Sequence, residues 1–251
     1  MSLNMQVNFV IGGTQKGGTS ALDSFLRQHQ QICMPETKKE LHFFDREEYF
    51  NGEPDYRKYH AHFRPEAGHR AIGEASPIYM YWRNAPARIW NYNPEMKWIL
   101  VLRNPVERAF SAWNMETKRG AETLSFADAV EQEAVRCREA LPLQHRVFSY
   151  IDRGFYAPQV RQLFNMFGRD QCLVLLNEDL RARHAETLRK TSAFLGVDTS
   201  FVPESADVFR HDYEETLGPE FSARLTKLFY FDMKELELLL QRDLAPWYSR
   251  P

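Results

Sequence analysis

Residues 9–22 read FVIGGTQKGGTSAL. A short apolar run enters a glycine-rich turn, and Ala21, Leu22, Phe25, Leu26 and His29 then recur at helical spacing, with Thr19 or Ser20 at the helix start. A strand feeding such a turn and a helix binds anions, because backbone N–H groups converge and the helix N-terminus adds positive potential. Gly12, Gly13, Gly17 and Gly18 would let the backbone approach a ligand closely. An ATP-binding P-loop, GxxxxGK[ST], carries its lysine directly after the last glycine. Counted from Gly13 the stretch is GTQKGGTS: Thr19 occupies the lysine position and Lys16 lies inside the turn. A lysine there would cover the 5′-terminal group of a shorter nucleotide. The apolar run at 98–102 ends in Arg103 and supplies no Walker B acid, which speaks against a kinase or NTPase and implies no divalent ion.

The rest of the chain alternates short β-rich runs with longer amphipathic ones. This pattern predicts an α/β, P-loop-like three-layer fold, with a central mainly parallel sheet flanked by helices. Strands are expected at Val7–Ile11, Ala71–Glu74, Trp98–Leu102 and Cys172–Leu176. Pro105 suits the first turn of a helix to about Lys118, and further helices are expected at Tyr156–Phe167, Ala185–Leu195 and Pro219–Leu240. Asn51–His69 reads as irregular and is expected near the substrate entrance. The 251 residues fit one domain, with 1–5 expected to be disordered or foreign to it and Met5 a candidate native start. A net charge of −2 gives no basic excess for nucleic acid. No stretch reads as a membrane span or secretory signal. Cys33, Cys137 and Cys172 show no metal-ligand spacing, and scattered thiols fit a reducing, cytoplasmic setting.

Three motifs together resemble the sulfotransferases that use 3′-phosphoadenosine 5′-phosphosulfate (PAPS), most of all the heparan sulfate N- and 3-O-sulfotransferase type. The first is Gly13-Thr14-Gln15-Lys16-Gly17-Gly18-Thr19-Ser20-Ala21-Leu22, similar to the family's GxxKxGT[ST]xL loop, although Gly17 stands where relatives often carry a hydroxyl. The second is Arg103-Asn104-Pro105-Val106-Glu107-Arg108-Ala109-Phe110-Ser111, similar to R-[ND]-P-x-x-R-x-x-S. The third is Lys38-Lys39-Glu40-Leu41-His42-Phe43-Phe44-Asp45, similar to KExHFFD. Glu74-Ala75-Ser76-Pro77 matches E-K-[ST]-P only in part, with Ala75 in place of a lysine, and Arg153-Gly154-Phe155-Tyr156 resembles RGxY.

The resemblance implies a donor site of Thr14, Gln15, Lys16, Gly17, Gly18, Thr19 and Ser20 for the 5′ end. It implies Arg103 and Ser111 for the 3′-phosphate, and a covering loop with Arg210. It implies Glu40 as the base that takes the acceptor's proton, with His42 and Asp45 supporting it and Lys16 neutralising the leaving phosphate. His42 remains a competitor for the base role. The product would be 3′-phosphoadenosine 5′-phosphate (PAP), with no metal. The acceptor would be a hydroxyl or amine on a carbohydrate, a small molecule or a carrier, with no nucleic acid or membrane partner. Tyr79, Tyr81, Trp82 and Trp90 would stack on a sugar, line an apolar pocket or belong to the core. Two alternatives stay open: a P-loop kinase or NTPase, and a non-catalytic nucleotide-binding relative.

Overall fold

A computed structural model describes residues 6–204 and 216–249. In chain order the described elements are β1 (Phe9–Gly13), α1 (Thr19–Leu26), β2 (Ile32–Cys33), α2 (Tyr56–His60), β3 (Ala71–Ala75), α3 (Ala85–Tyr92), β4 (Lys97–Leu102) and α4 (Pro105–Lys118). They continue with α5 (Phe126–Glu139), α6 (Tyr156–Phe167), β5 (Cys172–Leu176), α7 (Asn177–Ala182), α8 (His184–Leu195), α9 (Pro219–Leu240) and α10 (Ala245–Tyr248). The chain forms two compact units. One runs up to Leu102 and resumes at Leu163; the other comprises Arg103–Gln162 and the C-terminal segment.

The first unit holds the five-stranded sheet, ordered β2-β3-β1-β4-β5, with every pairing parallel. Alternation along the strands sends side chains to two buried faces, as a sheet covered on both sides requires. Phe9, Ile11, Ile99, Val101, Leu173 and Leu175 share a core with Leu22, Phe25 and Leu26 of α1 and Leu188 and Leu195 of α8. On the opposite face Trp98 packs on Phe167, which also meets Trp90 of α3.

β1 begins later than its apolar run suggests and continues through both glycines. Its register with β4 slips between Ile11 and Gly13, a bulge at the mouth of the turn. Packing requires glycine at both positions: a Cβ on Gly12 would lie 2.4 Å from the Trp98 ring, and one on Gly13 would lie 1.9 Å from the Met80 sulfur.

The second unit is helical. Asn104 caps α4 by accepting from the Val106 and Glu107 amides, and Pro105 takes the first helical position. Asp232 of α9 accepts from the Tyr156 and Ala157 amides and so caps α6 from another helix. The buried Glu133 of α5 accepts from the Ile151 and Asp152 amides, fixing the turn ahead of Arg153-Gly154.

The segment expected to stay irregular contains the short α2. Its Tyr59 is fully buried against Phe43, Phe44 and Tyr92. Tyr79, Tyr81 and Trp82 are core residues, whereas Trp90 is exposed. All three cysteines are free thiols. Among the described residues no helix is long and apolar enough to cross a membrane, and no group of three or more His, Cys, Asp or Glu residues is arranged to hold a metal ion.

Candidate active site

The turn after β1 is pinned at both ends. The Thr14 amide donates to the Val101 carbonyl, and Gly17 N–H closes back on the Thr14 carbonyl. From the end of β5, Asn177 donates its side-chain amide to the Gly17 carbonyl at 2.8 Å. Gly18, at φ 111°, is the N-cap of α1, a conformation that favours glycine, and no acidic residue occupies the helix's first turn. Lys16 also takes a left-handed conformation, at φ 66°. Thr14, Gly17 and Thr19 are buried, while Gln15, Lys16, Gly18 and Ser20 are half-buried. A glycine-lined helix start with hydroxyls, a lysine in the turn and no acidic residue in the helix's first turn suits an anionic group.

The segment from Lys39 to Asp45 carries the acid–base groups. His42 lies between two carboxylates, with Nε2 3.2 Å from Glu40 Oε2 and Nδ1 3.1 Å from Asp45 Oδ2. Asp45 is fully buried, while Glu40 and His42 keep partial exposure. Hydrogen bonds to Asp45 and then Glu40 push the His42 pKa up to about 9, outweighing partial burial. Burial pulls the Glu40 carboxyl upward, but its His42 hydrogen bond and the Lys39 charge outweigh that and hold it below the usual range. The pair is therefore a carboxylate beside an imidazolium at neutral pH. Lys39 Nζ donates to Ser20 Oγ at 2.5 Å and to Glu40 Oε1 at 3.1 Å, joining the turn to the acid–base segment.

Sequence reasoning missed what lies beneath this segment. Glu74, at the end of β3, is fully buried and accepts from the Leu41 amide, Ser76 Oγ, Tyr79 Oη and Tyr59 Oη. Ser76 Oγ in turn accepts from the His42 amide, and Tyr79 Oη accepts from the Phe43 amide. The signal was the Glu-x-Ser-Pro remnant after β3. The neighbouring Ala75 is fully buried in the core shared with α1. Asn177 and Lys39 were also unassigned; only Lys39 stood within a motif.

In the second unit, Arg103 follows β4 directly in the chain. Its guanidinium pairs with Glu107 at 2.9 Å, one turn into α4. Ser111 lies one turn further at the same i+4 spacing and is buried. Tyr156 Oη donates to the Arg103 carbonyl at 2.9 Å, giving the RGxY tyrosine a role in fixing that turn. The fully buried Arg108 donates to the Tyr150 carbonyl. Arg210 lies outside the described residues.

A family model described as "Sulfotransferase domain" matches residues 7–232. Mouse heparan sulfate glucosamine 3-O-sulfotransferase 3A1 is 35% identical over 189 residues, covering 75% of this chain and 45% of that protein. The membrane-associated sulfotransferase kil1 of Dictyostelium discoideum is 35% identical over 133 residues, covering 51% of this chain and 28% of its own length. The chain thus spans less than half the length of these two relatives. Among solved structures, a sulfotransferase from Alicyclobacillus acidocaldarius superposes with TM-score 0.84 at 35% identity, covering 97% of this chain and 99% of the other.

Proposed function

The chain belongs to the sulfotransferase domain family, and on that premise we propose that it moves a sulfuryl group from PAPS to a hydroxyl or amine acceptor and releases PAP. The observation that carries this reading is the acid–base segment fastened to the glycine-rich turn, with Lys39 bridging Glu40 and Ser20. The match over residues 7–232 spans both compact units, which supports reading them as one transferase domain.

PAPS supplies an activated sulfuryl group on a 5′-phosphate leaving group. The loop amides and the hydroxyls of Thr19 and Ser20 hold the 5′ end, and Lys16 offsets the negative charge that grows there. Arg103 and Ser111 take the 3′-phosphate, for which a guanidinium fork is the suitable donor. Binding there requires Arg103 to exchange its partly exposed Glu107 partner for phosphate. Arg210 completes this site in the reading given by the family resemblance.

Glu40 is the base. A group with a pKa near 9 is protonated at neutral pH and cannot accept a further proton, so His42 serves as the cation that orients Glu40. The acceptor proton passes to Glu40 as the acceptor attacks, and Asp45 keeps the imidazolium in place. A low-pKa carboxylate is a modest base, so positioning must carry much of the rate.

The acceptor is a carbohydrate, in keeping with the relatives named for heparan sulfate. Ala75 leaves this chain without the lysine that the family motif carries there, and Lys39 supplies a cation at the junction of turn and base instead. The test is transfer from radiolabelled PAPS to heparan sulfate and to desulfated heparan-type chains. Glu40→Gln is expected to bind PAP as the parent does and to lose roughly 10²–10⁴-fold in turnover, the usual weight of a general base. Parental turnover in Glu40→Gln would remove Glu40 from this role. Absence of transfer by the parent, with PAP still bound, would favour the non-catalytic alternative.

A further inference from the structure

Glu74 fills every acceptor position a carboxylate has. Oε2 accepts from Ser76 Oγ at 2.6 Å and the Leu41 amide at 3.4 Å; Oε1 accepts from Tyr79 Oη at 2.6 Å and Tyr59 Oη at 3.3 Å. Two of these hydroxyls pass the restraint on, Ser76 to the His42 amide and Tyr79 to the Phe43 amide. Three consecutive amides, 41 to 43, therefore lead to one buried carboxylate. Those amides fix the backbone that carries His42, whose ring meets Glu40, and His42 itself is held at φ 54°.

A protonated acid would have to donate through one of its oxygens, and all four surrounding groups are already donors. Protonation must therefore end one of the four donations: the Leu41 amide loses its acceptor, or a hydroxyl turns its own proton away in order to accept.

We propose that Glu74 is a positioning residue for the transfer, and that its negative charge locks the segment bearing Glu40 and His42 into register. The role rests on the sulfotransferase reading only for its catalytic meaning; the lock is a property of the fold.

The lock is sensitive to pH in the neutral range. Burial, with the nearby Asp45 charge adding to it against the hydrogen bonds, raises the Glu74 pKa to about 7. The groups facing it are Tyr59 from α2, His42 and Asp45 from the acid–base segment, and Ser76 and Tyr79 after β3. As pH rises through about 7 the carboxylate forms and the lock tightens. Global stability runs the other way. A carboxyl whose folded pKa exceeds its unfolded value stabilises in acid, and that contribution is lost as pH rises from about 4.5 to about 7. A purely structural carboxyl would make local order follow global stability, so the two trends separate the explanations.

The experiment is amide hydrogen exchange on the full chain between about pH 5.5 and 8.5, with protection at Leu41, His42 and Phe43 corrected for intrinsic rates. Denaturant unfolding and PAP titration are run in parallel. Protection is expected to rise by about tenfold across the range, the weight of a hydrogen bond to a charged group, while the Glu74 contribution to unfolding stability falls. Glu74→Gln should abolish the rise and keep PAP affinity. Tyr79→Phe should lower protection at Phe43 and spare Leu41, which covers the case of a poorly folding Glu74 variant. Flat protection in the parent, protection that declines with global stability, or a parental rise in Glu74→Gln would overturn the proposal. Failure of the parent to bind PAP would count against the transferase reading, while the exchange data judge Glu74 separately.

Discussion

Gly17 is the residue at which this loop departs from its family pattern, and its surroundings explain the departure. A Cβ there would stand 2.0 Å from the Val101 carbonyl oxygen and 2.9 Å from the Thr14 methyl. The turn is drawn against the end of β4 more closely than a serine or threonine permits. Gly17→Ser must push the loop off β4 and disturb the Asn177 contact to the Gly17 carbonyl. We expect a loss of about 1–3 kcal/mol in unfolding free energy and weaker PAP binding, measured by denaturation and calorimetry. A variant that kept parental stability and bound PAP more tightly would mean the loop accepts the family's hydroxyl. The pairing of Glu40 with His42 was legible from the KExHFFD resemblance, but its geometry was not: His42 is left-handed, and Asp45 draws its ring back toward Glu40. Glu74 was not legible as a hub because its partners come from residues 41, 59, 76 and 79, a set that only the folded chain assembles.

Strands and helices with strong apolar periodicity lie where the sequence puts them: β4, α4, α6, β5 and α9 agree closely. β1 is displaced toward its glycines because strand pairing continues past the apolar run, where Trp98 and Met80 leave room only for glycine. α5 went unread because it buries little, chiefly Phe126, Ala129 and Glu133, so its apolar stripe is thin. Its start was nonetheless encoded. Ser125 Oγ accepts from the Asp128 amide at 3.2 Å and donates to the Asp128 carboxylate at 2.6 Å, a reciprocal cap. Ser125→Ala should cost about 1 kcal/mol in urea unfolding with PAP affinity unchanged. An unchanged midpoint would show that α5 is held by Glu133 and its amide partners without help from its cap.

At the scale of the whole molecule, the order of motifs along the chain carried most of what the fold later explained. The turn, the acid–base segment and the Arg103–Ser111 motif are far apart in sequence. Two of them meet within the first unit through Lys39, and the third begins where β4 ends. The acceptor was least legible, since the aromatic residues read as candidate sugar platforms are mostly core, with Tyr79 serving Glu74. Whether the displaced lysine marks a loop for a 3′,5′-bisphosphorylated nucleotide is the claim on which the rest depends. Isothermal titration with PAP in EDTA, set against ATP with Mg²⁺, addresses it most directly, with Arg103→Ala as the companion variant. We predict one PAP site per chain without metal, much weaker ATP·Mg²⁺ binding, and PAP affinity reduced about tenfold or more in Arg103→Ala, as loss of a charged hydrogen bond would give. Tighter binding of ATP·Mg²⁺ than of PAP, or PAP affinity untouched in Arg103→Ala, would contradict the account.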